Sequence, residues 1–443
     1  MDKRTRNIVF YSLCVVFAVV GTLVVLYAQG WRFDLETFGF KKVGGIYLRS
    51  FPKDADIFIN DKYVDKNPGL LDSGRFISDL FPKTYKLSLV KDGYIDWTEH
   101  IQVNPALVTE LKYAVLIPKT SESAYKGALK SFSADNNQLI INSGNSLSID
   151  GEKIRGENVI FQNGDSKIAL AENAATRTYF VNYFNGDTPT STILNAKFSA
   201  YGISPASIKE IIRDPNSSSG AIFGTSSKVF YMDIQTGDIS TLALSSQTIT
   251  EIAASPSWIA WVNFDPKSGK SKISFYNRSS NSVQNEAAIP GTAAKISFIK
   301  EDIVGILQTD GGFYTASPNS LPAQAGKPQK MADNVRDFSS SNDGTRVSLL
   351  EPQTVEIFSL GSESGYWRFR LPDAEKIERT EWYSDGNHLF VIYPGEIKFL
   401  DLNDKDIENF MTAASGNNFE YDLESNTLYF INDGILRKMV FPQ

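Results

Sequence analysis

An unbroken apolar segment near the N-terminus constrains this chain more than any other feature. Residues 8–30 include no charged side chain over 23 positions. A helix needs about 20 apolar residues to cross the hydrocarbon core of a bilayer, so this segment is long enough to span one. Lys3, Arg4 and Arg6 precede it. The positive-inside rule therefore predicts a cytoplasmic stub at residues 1–7 and places the rest of the chain outside the cytoplasm.

The same segment has a second interpretation, a secretory signal peptide that is removed after export. Ala28 would then end the cleavage site. Signal peptides have apolar cores of about 7–15 residues, so the length of this segment favours a retained anchor. Tyr27 and Trp31 lie at its far end, where aromatic side chains favour the headgroup region. We expect a single-pass protein of the cell membrane with its C-terminal domains outside the cytoplasm.

The composition argues against several classes of protein. The formal net charge of -7 argues against a nucleic-acid-binding protein, because such proteins need a basic surface to neutralise phosphates. Cys14 is the only cysteine, so no intramolecular disulfide can form. The two histidines, His100 and His388, cannot complete a zinc site without carboxylate or thiolate ligands. We predict no cofactor and no nucleic-acid partner.

A small β-domain follows the anchor. Residues 31–44 are interpreted as a juxtamembrane stalk, and residues 45–118 consist of short segments rich in β-branched and aromatic residues. Turn-forming residues separate these segments, for example Asn60 and Asp61, which is the pattern of short strands joined by tight turns. Only residues 106–112 and, later in the chain, 405–414 are compatible with short helices. We predict a β-sandwich-like fold for this domain.

The small domain resembles a known family in the order and spacing of its motifs. Residues 50–62 (SFPKDADIFINDK) are similar to the opening of a PEGA domain, which is named for a Pro-Glu-Gly-Ala signature. The family pattern continues through Pro68, then Leu80 and Pro82, and closes on the pair Gly93-Tyr94. The resemblance implies adhesion or spacing at the cell envelope, and no catalysis.

The remainder of the chain, residues 121–443, is built from a repeated unit. Each copy begins with an aromatic or apolar residue, followed by a polar turn and an apolar strand. The lead residues are Phe132, Phe161, Ile212, Ile252, Ile296, Phe338, Trp382 and Phe419. Their mean spacing is about 41 residues, the length of a four-stranded propeller blade. The pattern predicts a β-propeller with eight blades, or seven if the short first interval is not a full unit.

Two of the copies resemble the repeats of TolB-like and WD-type propellers. Residues 338–350 (FSSSNDGTRVSLL) include Asp343-Gly344, and the next copy includes Asp385-Gly386. These pairs match the Asp-Gly core of the family motif. The predicted fold class is therefore all-β: an N-terminal transmembrane helix at residues 8–30, the PEGA-like domain and the propeller.

The sequence contains few candidates for chemistry. No Gly-x-Ser-x-Gly elbow is present, and a propeller-bearing serine hydrolase would need one on a separate α/β domain. Closely spaced carboxylates are candidate calcium ligands, which are oxygen donors, but a solvated acidic turn is the favoured interpretation of them: Asp401, Asp404, Asp406 and Glu408. Four tryptophans either pack in the core or stack on sugar rings: Trp97, Trp258, Trp367 and Trp382.

These patterns favour a membrane-anchored, non-catalytic binding or scaffold protein of the cell envelope. Propellers are rigid platforms whose loops bind ligands, and we expect an envelope protein or a cell-wall glycan as the partner. The alternative is a carbohydrate-active hydrolase or lyase that uses carboxylates in the propeller channel, since the carboxylate separation such an enzyme needs is a tertiary property. The ligand, any bound ion and the oligomeric state are not determined by the sequence.

Overall fold

The computed structural model describes residues 2–64, 74–164, 167–184, 189–320, 328–360, 365–404 and 406–442. Pro68, which belongs to the PEGA pattern, and Lys405 lie outside the described residues. The chain divides into two compact units. The N-terminal unit comprises residues 1–120, 406–409 and 441–443, and the C-terminal unit comprises residues 121–405 and 410–440.

The N-terminal unit begins with a single long helix, α1 (Lys3–Ala28). Its most apolar window has a mean hydropathy of 2.7, and none of that window is buried inside the protein. The hydroxyl of Thr22 donates a hydrogen bond to the carbonyl of Ala18, so the helix satisfies this polar group internally. At 1.5 Å per residue, α1 is roughly 39 Å long. Its length and composition suit a membrane anchor or a signal sequence, as the sequence predicts.

The segment expected to be a stalk, residues 31–44, contains a β-hairpin. Strands β1 (Trp31–Asp34) and β2 (Gly39–Lys42) are antiparallel. The carboxylate of Asp34 accepts hydrogen bonds from the Glu36 amide at 2.9 Å and the Thr37 hydroxyl at 2.8 Å, and the ammonium of Lys41 lies 2.7 Å away. Lys41 and the two hydrogen bonds hold the pKa of Asp34 well below its usual range. The turn is therefore closed by local interactions.

Two further sheets of the N-terminal unit enclose one core. One sheet has the order β6-β3-β9 and the other β5-β4-β7-β8. Ile46 and Leu48 from the first sheet pack with Ile57, Leu87 and Trp97 from the second. The strands are β3 (Gly44–Phe51), β4 (Asp56–Ile59), β5 (Lys62–Val64), β6 (Arg75–Leu80), β7 (Thr84–Val90), β8 (Trp97–Gln102) and β9 (Val108–Val115).

One of the two segments compatible with a short helix is a strand. Residues 106–112 lead into β9, which pairs in parallel with β3. Val108, Thr109 and Val115 are β-branched and suit a pleated strand. Ala106, which precedes the strand, has a positive φ of 58°, a conformation that a helix cannot contain. Pairing with β3 therefore replaces the local helical alternative.

Within its described residues, the C-terminal unit consists of eight four-stranded antiparallel sheets, consistent with a β-propeller. In seven of them the strand order follows the chain order. Four of these seven are β11–β14 (Ser131–Asp135, Gln138–Asn142, Leu147–Ile149, Glu152–Ile154), β15–β18 (Asn158–Asn163, Ile168–Asn173, Thr178–Tyr183, Thr190–Ile193), β19–β22 (Glu210–Arg213, Gly220–Gly224, Lys228–Asp233, Asp238–Leu244) and β23–β26 (Thr248–Ala254, Trp258–Asp265, Lys270–Asn277, Ser282–Ile289).

The remaining sheets complete the unit, and the last one joins its two ends. In that sheet β10 (Glu122–Tyr125), from the start of the unit, pairs with β41 from its end. This pairing joins the start of the unit to its end within one sheet. The other strands are β27–β30 (Ala293–Lys300, Ile303–Gln308, Phe313–Ala316, Gln329–Ala332), β31–β34 (Asp337–Ser340, Arg346–Leu350, Val355–Ser359, Tyr366–Phe369), β35–β38 (Arg379–Trp382, His388–Tyr393, Glu396–Asp401, Met411–Ser415) and β39–β41 (Asn417–Asp422, Thr427–Asn432, Ile435–Val440).

The repeated unit of the sequence coincides with these sheets. Each of the eight lead residues, from Phe132 to Phe419, lies in the first strand of a different sheet. The short first interval corresponds to a sheet whose third and fourth strands have only three residues each. Residues 405–414 include the start of β38 and no described helix. Helical turns occur instead at α2 (Asn195–Ala200) and at three 3₁₀ turns, Pro205–Ser207, Pro318–Ser320 and Ala374–Lys376.

The Asp-Gly pairs form the turns between the first and second strands. Gly344 and Gly386 have positive φ values of 63° and 65°, which glycine adopts without the steric cost of a Cβ. Asp343 accepts a hydrogen bond from the Thr345 amide at 3.0 Å, and Asp385 accepts one from the Asn387 amide at 2.8 Å. The motif thus encodes an Asx-type turn that begins the second strand.

Successive sheets of the C-terminal unit pack face to face. Phe161 and Tyr179 of one sheet share a buried cluster with Phe223 and Phe230 of the next, and α2 inserts Phe198 between them. Comparable clusters join the sheet of β19–β22 to that of β23–β26, and the sheet of β23–β26 to that of β27–β30. We refer to the eight strands that carry the lead residues as the first strands: β11, β15, β19, β23, β27, β31, β35 and β39. First strands of consecutive sheets lie side by side, for example β19 with β23 and β27 with β31.

Candidate functional site

The first strands bring charged side chains together from neighbouring sheets. Lys295 on β27 lies 2.7 Å from the carboxylate of Asp337 on β31 and also donates to the carbonyl of Phe338 at 2.9 Å. Arg379 on β35 lies 3.6 Å from Glu420 on β39. These ion pairs cross from one sheet to the next, and they partly neutralise the charge along the first strands.

Two carboxylates of the first strands have no cationic partner among the described residues. Glu210 on β19 accepts a hydrogen bond from the Ile252 amide at 3.3 Å, and Glu251 precedes Ile252 on the adjacent strand. Burial raises the pKa of Glu210. Burial and the charge of Glu210 together raise the pKa of Glu251 to about 7. Two carboxyl groups in such positions resist simultaneous ionisation.

Glu381 on β35 is a third carboxyl group with altered protonation. Burial raises its pKa to about 7, opposed by the charge of Arg379. Its Oε2 atom is buried and has no hydrogen-bond partner among the described residues, while Arg379 lies 3.8 Å away. The sequence gives no signal for these glutamates, because nothing local distinguishes a glutamate in a first strand from one on the surface.

A polar surface pocket of about 410 Å³ lies beside strands β32 to β34. Glu351 is held in it by the hydroxyl of Thr354 at 2.7 Å. Arg368 lies 3.0 Å from Glu356 and 3.8 Å from Glu351, whereas Arg370 forms no ion pair with a described residue. The volume is within the range of small-molecule sites. The lining residues are Asp333, Asn334, Glu351, Pro352, Gln353, Thr354, Arg368 and Arg370.

His388 occupies a buried ionic network at the start of β36. Its Nδ1 lies 2.8 Å from Oδ2 of Asp385 and its Nε2 lies 3.4 Å from Oδ2 of Asp401. Burial alone would lower the pKa of His388, but the two carboxylates outweigh it and raise the pKa to about 10. The ring stacks on Phe399 with centroids 4.7 Å apart. Enclosed in this way, the imidazolium stabilises the sheet and is not available to a ligand.

Two of the four candidate calcium ligands, Asp401 and Glu408, are engaged in separate ion pairs. Asp401 belongs to the His388 network and accepts a hydrogen bond from the Asn403 amide at 2.8 Å. Asp404 is buried, Asp406 is exposed, and Glu408 lies 2.8 Å from Nδ1 of His100. Among the residues that the structure describes, no group of three histidine, cysteine or acidic side chains is placed to hold a metal ion.

Three of the four candidate tryptophans are buried. The exposed fractions of Trp97, Trp258 and Trp382 are 2%, 6% and 5%, so their ring faces contact protein. The indole of Trp382 donates a hydrogen bond to the carbonyl of Ser339 at 3.1 Å. Trp367 is half-buried beneath the guanidinium of Arg346, 5.3 Å from the ring centre. Of the four, only Trp367 exposes part of its side chain to solvent.

No protein-family model matches this chain, and no curated protein matches it in sequence. Among solved structures it is similar to PorZ, a bacterial surface component of the type-IX secretion system of Porphyromonas gingivalis, with TM-score 0.41 and 11% identity over 70% of this chain and 42% of PorZ. It is also similar to an oligogalacturonate lyase in complex with manganese, with TM-score 0.43 and 9% identity over 73% of this chain and 96% of the lyase.

A third similar structure is the dihydro-heme d1 dehydrogenase NirN, with TM-score 0.40 and 12% identity over 61% of this chain and 59% of NirN. The chain spans less than half the length of PorZ. At these identities and TM-scores the similarities carry no argument about function. The architecture follows instead from the eight sheets and their closure through β10.

Proposed function

We propose that this protein is a membrane-anchored, non-catalytic binding platform of the cell envelope. In this proposal α1 spans the membrane with the N-terminus in the cytoplasm, and the N-terminal β-domain is a PEGA-like spacer. The C-terminal unit is an eight-bladed, TolB-like or WD-type propeller outside the cytoplasm. Its ligand is an envelope protein or a cell-wall glycan.

The exposure of α1 is the observation that carries the proposal. Leu13, Val16 and Phe17 are exposed by 62%, 57% and 80%, and no residue of the helix is buried. An apolar surface of this size is unfavourable in water, whereas a hydrocarbon solvent accommodates it. The two β units have cores of their own, so neither needs the helix to complete its packing.

The pocket beside β32 to β34 supports the assignment of a ligand-binding role to the C-terminal unit. Arg370 contributes a guanidinium without an ion pair among the described residues, next to the fixed carboxylate of Glu351. An arginine of this kind suits a carboxylate on a peptide or an acidic glycan, which it can bind through two parallel hydrogen bonds. Charge of both signs in one polar pocket favours recognition of a polar ligand over an apolar one.

A capture experiment tests the binding role. The purified full-length protein in detergent is incubated with native membrane extract and, separately, with isolated cell-wall glycan. We expect one defined protein or the glycan to be retained, and Arg370→Ala to reduce the retention. Arg177→Ala, an exposed arginine in a hairpin of another sheet, is the matched control and should retain the ligand. Retention of neither class, or equal retention by both variants, would contradict the proposal.

The raised pKa values of Glu251 and Glu381 support a second candidate function, a carboxylate-dependent hydrolase or lyase acting on carbohydrate. A carboxyl group that keeps its proton near pH 7 can act as a general acid. Incubation with wall glycan and with acidic polysaccharides, followed by measurement of new reducing ends, tests it. Release that is abolished by Glu251→Gln or Glu381→Gln would establish the enzyme, and absence of release would favour the binding platform.

A further inference from the structure

The hairpin that follows α1 is amphipathic. Strand pairing places Phe33 opposite Phe40 and Trp31 opposite Lys42. Because side chains alternate across a strand and directly paired residues share a face, one face of the hairpin presents Trp31, Phe33 and Phe40 together with Lys42. The two phenylalanine rings lie edge to face at 5.3 Å. The opposite face carries Arg32, Asp34 and Lys41. We refer to the first as the aromatic face of the hairpin.

The apolar side chains of this hairpin are exposed to an unusual degree. Phe33 and Phe40 are exposed by 46% and 49%, and Leu35 and Phe38 at the turn by 74% and 81%. Isolated exposed apolar side chains are ordinary on a protein surface, but four large ones within eight residues make this segment a local apolar patch. Such a patch indicates contact with another apolar phase or with a partner.

The polar face of the hairpin is bound to the rest of the N-terminal unit. The guanidinium of Arg32 lies 2.7 Å from the carboxylate of Asp79 on β6. It also donates to the carbonyl of Tyr27, at the end of α1, at 2.8 Å, and it lies 3.6 Å above the ring of Tyr27. These contacts fix the hairpin against the C-terminal end of α1 and leave the aromatic face and the turn uncovered.

We propose that the hairpin of residues 31–42 is inserted in the lipid headgroup region, with its aromatic face and its turn in contact with the bilayer. This inference rests on the proposed membrane anchor. Helix α1 ends at Ala28, three residues before the hairpin begins, so a membrane-spanning α1 places the hairpin at the membrane surface. Phenylalanine and tryptophan favour this depth, and Lys42, on the same face of the hairpin, supplies a charge complementary to anionic headgroups. The hairpin would set the orientation of the N-terminal β-domain on the membrane.

Site-specific labelling of the full-length protein tests the inference. Cys14 is replaced by alanine, and single cysteines are introduced as Phe17→Cys in α1, Leu35→Cys in the hairpin turn and Leu244→Cys in β22. Leu35 and Leu244 are matched, since both are exposed by 74%. Each cysteine is labelled with an environment-sensitive fluorophore, and the protein is reconstituted in vesicles of phosphatidylcholine and phosphatidylglycerol whose acyl chains are brominated or not.

We expect brominated lipid to quench the labels at positions 17 and 35 and to leave the label at position 244 unchanged. Quenching at 17 but not at 35 would overturn the inference and leave the membrane anchor intact. Quenching at none of the positions would overturn both the anchor and the inference. Equal quenching at 35 and 244 would also overturn the inference, because contact with lipid would then not be specific to the hairpin.

Discussion

Replacement of His388 by alanine removes a buried cation from between two carboxylates. The histidine side chain is 1% exposed, and its nitrogens lie 2.8 Å from Asp385 and 3.4 Å from Asp401. Breaking a buried ion pair by removing one partner costs about 3–5 kcal/mol, because the remaining charge is left uncompensated. We therefore expect His388→Ala to lower the free energy of unfolding of the C-terminal unit by about that amount.

The other histidine provides a matched control. His100 lies at the same 2.8 Å from a carboxylate, that of Glu408, but its side chain is 52% exposed. Exposed ion pairs contribute about 0–1 kcal/mol. Urea unfolding of the full-length protein in detergent, followed by tryptophan fluorescence, compares the two variants, and Trp382 lies in the same sheet as His388. The reasoning is refuted if His388→Ala costs no more than His100→Ala.

The dependence on pH distinguishes an ionic role for His388 from a packing role. The pKa of the histidine in the folded protein is raised to about 10, whereas an unfolded histidine titrates near ~6.5. Its contribution is therefore fully present below the unfolded pKa and is lost as the pH rises through the folded one. We expect the difference between wild type and His388→Ala to be larger at pH 6 than at pH 10. A constant difference would indicate packing alone.

Three further predictions concern other sites of the C-terminal unit. Because the pKa of Glu251 is raised to about 7, the free energy of unfolding of the wild type should fall between pH 4.5 and pH 7. Glu251→Gln should stabilise the protein by about 1–2 kcal/mol at pH 8 and have little effect at pH 4. Equal effects of the substitution at both pH values in urea unfolding would contradict this prediction. Arg278 forms a bidentate pair with the buried Asp214 at 2.8 and 3.0 Å, so Arg278→Gln should cost about 3–5 kcal/mol in the same assay, and a cost below 1 kcal/mol would be inconsistent with a buried pair. Trp382→Ala should lower the free energy of unfolding by about 3–5 kcal/mol, and Trp367→Ala should lower it by less. If the ring of Trp367 contacts the ligand, Trp367→Ala should weaken glycan retention. A larger loss of stability for Trp367→Ala than for Trp382→Ala would contradict the reasoning from burial.

The all-β architecture could be predicted from the sequence because its signals are local. The Asp-Gly pairs specify turns, and the lead residues at intervals of about 41 positions each lie in a first strand. The signal for the apolar N-terminal helix is also local, since a run of uncharged residues determines it. Residues 106–112 show the limit of such reasoning. Their local sequence allows a short helix, but β9 pairs with β3, which is distant in the chain, and this pairing makes the segment a strand.

The candidate site depends on contacts between residues distant in sequence, and these could not be predicted. His388 and Asp401 are neighbours only because β36 and β37 pair at their ends. The pairing of Arg379 with Glu420 and the proximity of Glu210 to Glu251 arise from the packing of consecutive sheets. The hairpin at residues 31–42 is a different case. The sequence predicts a stalk there, because strands of only four residues are too short for their alternation of aromatic and charged residues to stand out.

The orientation and retention of the β units at the membrane are the central claim, and one labelling experiment tests both. A Cys14→Ala, Leu244→Cys variant is produced in bacterial cells, which are treated intact with a membrane-impermeant thiol reagent and then fractionated with an alkaline wash. The account predicts that the protein is labelled in intact cells. It also predicts that the washed membranes contain the full-length protein, with an N-terminus that is intact apart from any removal of Met1. Labelling only after lysis, or a labelled protein that lacks residues 1–28 and is released into the soluble fraction, would contradict it.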